Sequence, residues 1–325
     1  MSGNLVNIAT GSPLLRDGRM EIRVPASSAN LGPGFDTLGV ALRLYLTLHV
    51  EVVDGIGKLE FEFENLKLDG ENAIERAFRF LERQQPRDFP SLRVRVHSEI
   101  PMKGGLGSSA AATVAGLRLF EAVAGALPEQ GLLNAATTLE GHPDNVAAAL
   151  LGGLVMSCQL TDISVYAARL HWPEALELLV LTPEMSLATA TARAVLPDLI
   201  PRTHAVFNIQ RVSLLLQSLQ SGNFELLREA LRDRLHQPYR QRLVPGLEQI
   251  LALEHPDLLG ACLSGAGPSI AVFAVRNFEA LEREMRAAYD PLGLPYTIRR
   301  LQVHHETAQE QWTAANHANA RSLCV

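Results

Sequence analysis

The chain of 325 residues contains only three cysteines, Cys158, Cys262 and Cys324. They are odd in number and far apart, which excludes a disulfide framework and a zinc-type spacing and fits a reducing compartment. Positive charge is also short. Lys and Arg total 29 against 35 Asp and Glu, a net charge of −6, and no basic run of five or more occurs. Such a chain lacks the electrostatic footprint of a general nucleic-acid or membrane-surface binder, so neither partner is expected and a bound anion must be held by local charge. Long hydrophobic runs are missing too. The longest, Val146 to Met156, contains Gly152 and Gly153 and is too short to span a bilayer. Leu5 to Leu15 is broken by Asn7, Gly11 and Pro13 and does not form a signal-peptide core. A cytoplasmic protein is expected.

What is present is apolar material. Hydrophobic residues make up 47% of the chain, enough for a core in each of two domains at about 100 to 200 residues apiece. Met20 to Pro25 reads as a short strand, followed by a loop over Ala26 to Asp36 rich in Ser, Asn, Gly and Pro. Leu42, Leu44, Leu46, Leu48, Val50 and Val52 recur with period two, the mark of a half-buried strand. Turn residues from Asp54 to Gly57, then Leu59, Phe61 and Phe63 alternating with Glu60, Glu62 and Glu64, predict an antiparallel hairpin. Helical spacing follows at Ile74, Ala77, Phe78 and Leu81, and strand spacing at Leu92, Val94 and Val96. Helices are expected over Ser108 to Ala124, Gln130 to Glu140 and Asn145 to Leu151, and strands over Leu154 to Leu160 and Leu176 to Thr182. The second half predicts helices near Thr189 to Leu196, His204 to Gln220, Phe224 to Leu235, Gly246 to Glu254 and Asn277 to Tyr289. Its strands are expected near Gly260 to Leu263, Ser269 to Val275 and Tyr296 to His304. This is an α+β pattern. The polar tail from His305 predicts a surface helix or a disordered end.

Three glycine loops carry the chemical signal. The first is Pro101-Met102-Lys103-Gly104-Gly105-Leu106-Gly107-Ser108-Ser109-Ala110-Ala111, between a strand and a helix. A helix start leaves backbone N–H groups without internal partners and carries positive dipole charge, so glycines there let a phosphate chain sit against the main chain. Ser108 and Ser109 add hydroxyls within reach of a phosphate or its Mg²⁺. The blander reading, which local context favours less, is that Ser108 is only an N-cap and the glycines only a tight turn. The pattern G-x-x-x-x-G-K-[ST] is missing, which excludes a Walker loop. Gly105-x-Gly107-x-x-Ala110 fits a dinucleotide pattern, but the helix is followed by more helix, which counts against NAD. The second loop, Pro25 to Asp36, offers the Asn30 amide and the Asp36 carboxylate, either to a polar substrate or to the turn itself. The third, Leu263-Ser264-Gly265-Ala266-Gly267-Pro268-Ser269, reads alone as a β-turn.

Taken in order, these loops resemble those of the GHMP kinases, the superfamily of galactokinase, homoserine, mevalonate and phosphomevalonate kinases. Pro25 to Asp36 with Leu38-Gly39, the stretch Glu140-Gly141-His142-Pro143-Asp144-Asn145-Val146, and Ser264 to Ser269 resemble the homoserine kinase family most closely. The resemblance runs from about Met20 to about Val303. It implies a GHMP kinase fold, with an N-terminal domain like ribosomal protein S5 domain 2 and a C-terminal ferredoxin-like α/β sandwich. The expected division is an ATP-binding domain over residues 20–172 and a second domain over 173–304, flanked by a leader (1–19) and a tail (305–325) without assigned function.

The same resemblance implies transfer of the γ-phosphoryl of ATP to the side-chain hydroxyl of L-homoserine, the kinase step of threonine biosynthesis. ATP and Mg²⁺ are the implied cofactors, L-homoserine is the small-molecule partner, and a homodimer is expected. Carried over by motif, the Pro101 to Ala111 loop cradles the triphosphate, and Ser109 and Glu140 hold Mg²⁺. Asn30, Asp36, His142 and Asp144, with Thr189, Arg193, Arg240 and Gly265, match the amino-acid pocket. A carboxylate such as Asp36 suits the substrate ammonium, and a guanidinium fork suits its carboxylate. The family shows no obvious general base, so Asp36 and Asp144 are assigned to orientation and Arg193 to transition-state charge. Read without the family, the two arginines are surface charges. The alternatives are a GHMP kinase for another small alcohol and a catalytically silent nucleotide-binding member of the fold.

Overall fold

The structure, a computed structural model, describes residues 18–66, 68, 70–161 and 164–306. Cys324, the leader up to residue 17 and the tail from 307, expected as a surface helix or disordered end, lie outside the described residues.

β1 (Arg19–Ala29) and β2 (Leu38–Ile56) pair antiparallel from Arg19 opposite Glu51 to Ala29 opposite Gly39. β1 is longer than the sequence suggested, and its last four residues take over the start of the expected loop. Pro25 brings no N–H, and the register shifts there, between Pro25 and Ala26. Beyond that bulge the small residues Ala26, Ser27, Ser28 and Ala29, all fully buried, resume pairing with Leu42 to Gly39.

The expected hairpin between β2 and β3 (Leu59–Phe63) does not form. β3 pairs in parallel with β4 (Pro90–Ser98), Leu59 opposite Leu92 and Phe63 opposite Val96, and β4 lies next to β2. Burial explains the choice. Leu92, Val94 and Val96 of β4 are 0 to 1% exposed and belong in the sheet interior, whereas β3 is only half covered on alternate residues and serves as an edge. The parallel pairing is made possible by the crossover helix α1 (Ala73–Gln84), capped by Asn72 and buried through Ile74, Ala77, Phe78 and Leu81.

α2 (Ser108–Ala124) is made of small and aliphatic residues and is buried nearly all round. α3 (Glu129–Glu140) and α4 (Asp144–Leu151) follow it directly, so the second parallel strand that a dinucleotide fold requires after this helix is replaced by two helices. β5 (Leu154–Thr161) then pairs antiparallel with β6 (Ser164–Leu170), a strand not anticipated from the sequence because its burial alternates poorly. The first sheet has the order β3-β4-β2-β5-β6, with β1 on β2.

The remaining elements are β7 (Glu177–Pro183), α5 (Thr189–Ala194), α6 (Arg202–Ser221), α7 (Leu227–Ala230), α8 (Gln237–Arg240), α9 (Leu247–Leu251), β8 (Gly260–Leu263), β9 (Ile270–Ala274), α10 (Phe278–Tyr289) and β10 (Tyr296–Leu301). The expected helix over Phe224 to Leu235 shrinks to one turn. Asp233 diverts the chain there, its carboxylate accepting from the backbone N–H groups of Leu235, His236 and Gln237. The second sheet, β10-β7-β9-β8, is antiparallel throughout. Leu178 and Val180 of β7 join the core of the first sheet, while Leu179 and Leu181 pack with Leu247, Leu281 and Met285 beneath α9 and α10. Burial on both faces accounts for the unbroken apolar run of β7. Among the described residues no helix is long and apolar enough to cross a membrane.

Candidate active site

The three glycine loops meet. Ser269 donates to the Gly104 carbonyl from its backbone N–H (3.1 Å) and its hydroxyl (2.5 Å). Ser264 Oγ lies 2.7 Å from the Gly105 carbonyl and 2.8 Å from Ser28 Oγ. The Gly265 N–H donates to Ala29 (3.1 Å), and the Ser27 N–H to Leu106 (3.1 Å). Residues separated by up to 236 positions are thereby fixed around one cleft.

At one end of the cleft α2 begins. Gly107, with φ +69°, is the residue before the helix, and no side chain caps the first turn, which also carries no acidic residue. Ser108 is thus the first helical residue and not the cap, and the helix presents its N-terminal N–H groups and dipole to the cleft. A Cβ on Gly107 would stand 2.1 Å from Ser27 Oγ, so only glycine fits between the strand and the helix. Within the first turn of α2, Ser109 Oγ donates at 3.0 Å to Oε1 of Glu140, at the C-terminal end of α3. Thr113 Oγ1 (2.7 Å) and Arg76 Nη2 (3.2 Å) donate to the same oxygen. A hydroxyl beside a carboxylate is a hard-oxygen pair of the kind Mg²⁺ accepts when phosphate and water complete its shell. Thr113 and Arg76 escaped the sequence reading, although Thr113 stands four residues after Ser109 and so on the same helix face.

At the other end lie the groups expected to meet an amino acid. Arg193, at the end of α5, grips Asp36 with both nitrogens, Nη2 to Oδ1 at 2.6 Å and Nη1 to Oδ2 at 3.0 Å. Burial pulls the Arg193 pKa down, and the hydrogen bond and charge of Asp36 more than reverse this, so it ends above its ordinary value. Asp36 is held in the left-handed region at φ +55°, and its N–H donates to Asn30 Oδ1 at 3.0 Å. Asn30 Nδ2 donates to the Gly265 carbonyl at 2.9 Å, so this amide clamps the second loop onto the third. Arg240 is 1% exposed. Its Nε donates to Ala192 O at 3.0 Å and its Nη1 to Gly265 O at 3.1 Å. Burial, then the nearby Arg193 charge, pushes its pKa down to about 10. Phe35, which no sequence signal marked, lies under both guanidinium groups at 5.4 Å. Asp144, 2% exposed, accepts from the Asn145 N–H at 2.7 Å and stands 3.0 Å from His142 Nδ1. Burial lowers the His142 pKa, but the hydrogen bond and the charge of Asp144 together outweigh it and hold the imidazole above its ordinary value.

Asn30, Asp36, Lys103, Gly105, Gly107, Ser108, Ser109, Ala110, Glu140, His142, Asp144, Thr189, Arg193, Arg240 and Gly265 all line this cleft, joined by Asn145, Leu187, Ala266 and Gly267. Five residues of the first loop do not. Leu106 and Ala111 are core residues, Pro101 backs onto Gly104, Gly104 turns its carbonyl to Ser269, and Met102 is exposed. They shape the loop from behind.

The N-terminal domain model of the GHMP kinases matches residues 72–153, and the C-terminal model matches residues 215–291. The chain is 43% identical over 267 residues to the homoserine kinase of Solibacter usitatus, covering 80% of this chain and 86% of that protein. It is 39% identical over 289 residues to the homoserine kinase of Moorella thermoacetica, covering 86% and 96%. The crystal structure of homoserine kinase from Cytophaga hutchinsonii shares the fold with a TM-score of 0.79 at 25% identity, over 90% of this chain and 96% of that one. Similarity of this extent, with both family models matched in order, shows that the chain belongs to the homoserine kinase family of GHMP kinases.

Proposed function

We propose that the protein transfers the γ-phosphoryl of ATP to the side-chain hydroxyl of L-homoserine in the cytoplasm, giving O-phospho-L-homoserine for threonine biosynthesis. One observation carries this reading beyond the family: an uncapped helix N-terminus, flanked by the Ser109–Glu140 pair, opens onto the same cleft as Asp36, Arg193 and Arg240. Polyphosphate and amino acid are thus brought to one space.

In this reading the cleft-lining part of the Gly104 to Ala111 segment, Gly105 and Gly107 to Ala110, receives the triphosphate through its backbone N–H groups, and Lys103, at the rim, adds local positive charge. Ser109 and Glu140 hold Mg²⁺, which neutralises charge on the phosphates when bound. Asp36 takes the substrate ammonium and Arg240 its carboxylate, while Thr189, His142 and Asn30 shape the pocket. Asp144 is buried and already accepts from the Asn145 N–H, so it orients the hydroxyl through a fixed carboxylate. Arg193 reaches the same space from α5 and supplies charge to the transferring phosphoryl, for which a well-placed cation is worth orders of magnitude. Phosphoryl transfer asks mainly for alignment and charge, and no dedicated base is required. The boundary near Trp172 divides an ATP-binding N-terminal domain from a C-terminal domain; the location of all strands of the first sheet before it and all of the second after it supports that division.

The test is ADP release from ATP and Mg²⁺ with L-homoserine, mevalonate, galactose and shikimate in parallel. Turnover with homoserine above the others is expected. Silence with homoserine and turnover of another alcohol would overturn the substrate, and ATP binding without transfer to any of them would overturn the enzyme.

A further inference from the structure

Behind the cleft lies a buried polar cluster that the reading above does not use: His236, Asp233 and Asn208. His236 is 0% exposed. Its Nε2 stands 2.7 Å from the Gly32 carbonyl, and its Nδ1 stands 3.2 Å from Arg240 Nη1. A carbonyl can only accept and a guanidinium can only donate. These partners therefore fix one form of the ring, neutral imidazole with its proton on Nε2, donating to Gly32 and accepting from Arg240. Burial disfavours a second proton and holds its pKa below the ordinary histidine value; Arg240 acts in the same sense, and Asp233, with Oδ2 3.6 Å from Nε2, opposes. The Asp233 carboxylate is already engaged by the N–H groups of Leu235, His236 and Gln237 and by Asn208 Nδ2, so it anchors the backbone of His236. Asn208 Nδ2 also donates to the Pro33 carbonyl at 3.1 Å, and the Phe35 ring stacks on the imidazole at 5.3 Å.

His236 thus touches both halves of the amino-acid pocket, the Arg240 guanidinium and the loop that carries Asp36. Arg240 has its Nε hydrogen on Ala192 and its two Nη1 hydrogens on Gly265 and His236, which reserves the Nη2 pair for a ligand. We propose that His236 is a positioning residue for the substrate head group, setting the span between the carboxylate-binding guanidinium of Arg240 and the ammonium-binding carboxylate of Asp36. The inference rests on the assignment of these two residues to L-homoserine made above.

Two substitutions in the full chain separate the two hydrogen bonds. In His236→Gln the amide nitrogen reaches the place of Nε2 and keeps the bond to Gly32, but no acceptor stands where Nδ1 was. In His236→Asn the amide oxygen stands where Nδ1 was and can accept from Arg240, while Gly32 loses its donor. The expected result for His236→Gln is a rise of about tenfold in the homoserine KM, with a smaller change in kcat and an ATP KM within about twofold of the parent. His236→Asn should bring the homoserine KM back to within about threefold, although its melting temperature should be the lower of the two because a buried carbonyl is left unpaired. An unchanged homoserine KM in His236→Gln, or losses in both variants that follow their melting temperatures, would overturn the role of His236. Absence of homoserine turnover by the unsubstituted chain would instead overturn the functional reading on which it rests.

Discussion

Gly105 is where the phosphate loop and the third loop come closest, and its replacement by alanine gives a magnitude that follows from the geometry. Its φ of +79° lies in the left-handed region, where a Cβ costs about 1–2 kcal/mol. That Cβ would also stand 2.6 Å from Ser264 O and 2.7 Å from Gly267 O. Both atoms are backbone, pinned by the bonds from Ser269 to Gly104 and from Arg240 and Asn30 to Gly265. Such overpacking adds about 1–3 kcal/mol, for a total of about 2–5 kcal/mol. Gly57 is the control: its φ is +74° and nothing lies within 4 Å of its Cβ position, so Gly57→Ala should carry only the conformational part, about 1–2 kcal/mol. At about 2 °C per kcal/mol for a chain of this size, thermal unfolding should show Gly105→Ala melting about 4–10 °C below the parent and Gly57→Ala about 2–4 °C below it. The clash can be relieved only by parting the loops, so Gly105→Ala should also raise the KM for both ATP and homoserine, which Gly57→Ala should not. Equal melting temperatures for the two variants would refute the contact between the loops.

Glu140→Gln keeps the shape of the side chain but removes the charge on which Ser109, Thr113 and Arg76 converge; turnover should fall, and the Mg²⁺ concentration for half-maximal rate should rise by about tenfold or more. An unchanged Mg²⁺ titration would remove Glu140 from the metal site. The pH dependence of stability near neutrality sets three histidines held by burial below their ordinary value of 6.5, His236, His304 and His305, against His142, held above it, so the lowered rings set the sign. The unfolded chain takes up protons that these rings refuse, so their contribution is complete above about pH 6.5 and is lost as the pH falls toward their lowered folded values. Melting curves from about pH 7.5 down to about pH 5 should therefore decline, and His236→Gln should decline less steeply; an identical slope would contradict a neutral His236. Alcohols lacking one end of the substrate zwitterion, 4-hydroxybutyrate and 3-aminopropanol, should each show kcat/KM lower by about a hundredfold or more than homoserine, and parity of either would contradict the roles of Asp36 and Arg240.

Periodicity located most elements, since a half-buried strand such as β2 and an amphipathic helix such as α1 announce the face they bury. It could not say which strand lies beside which. β3 carries the alternation of a hairpin partner for β2, and only the greater burial of Leu92, Val94 and Val96 gives β4 the interior place. The first glycine loop pointed to a phosphate cradle because it stands between a strand and a helix start, and the helix did begin at Ser108. The residues proposed for the substrate end were reached only through the family resemblance. Arg193 and Arg240 stand 157 and 210 positions after Asp36 and Asn30, and nothing local in either sequence context reveals that Arg240 is almost wholly buried. Phe35 and His236 were silent for the same reason. Their meaning lies in partners brought together by the meeting of the two sheets, which no window of sequence contains.

The charge of −6 and the binding of an anion are reconciled at the same place. No broad basic surface is needed where a helix terminus, the buried Arg240 and the half-buried Arg193 act over hydrogen-bond distances, at which screening by salt is weak. The pairing of Arg193 with Asp36 adds selectivity to this economy of charge. A ligand bearing its own ammonium can replace the guanidinium on Asp36 and leave Arg193 free to face a phosphate, so no charge is left unbalanced at any stage. A neutral sugar or a simple hydroxy acid offers Asp36 nothing in exchange and leaves Arg193 tied to it. If Asp36 and Arg193 have the roles proposed above, the ion pair acts against the wrong alcohols without touching the reacting hydroxyl, because discrimination needs an unfavourable term for the competitor as well as contacts for the substrate.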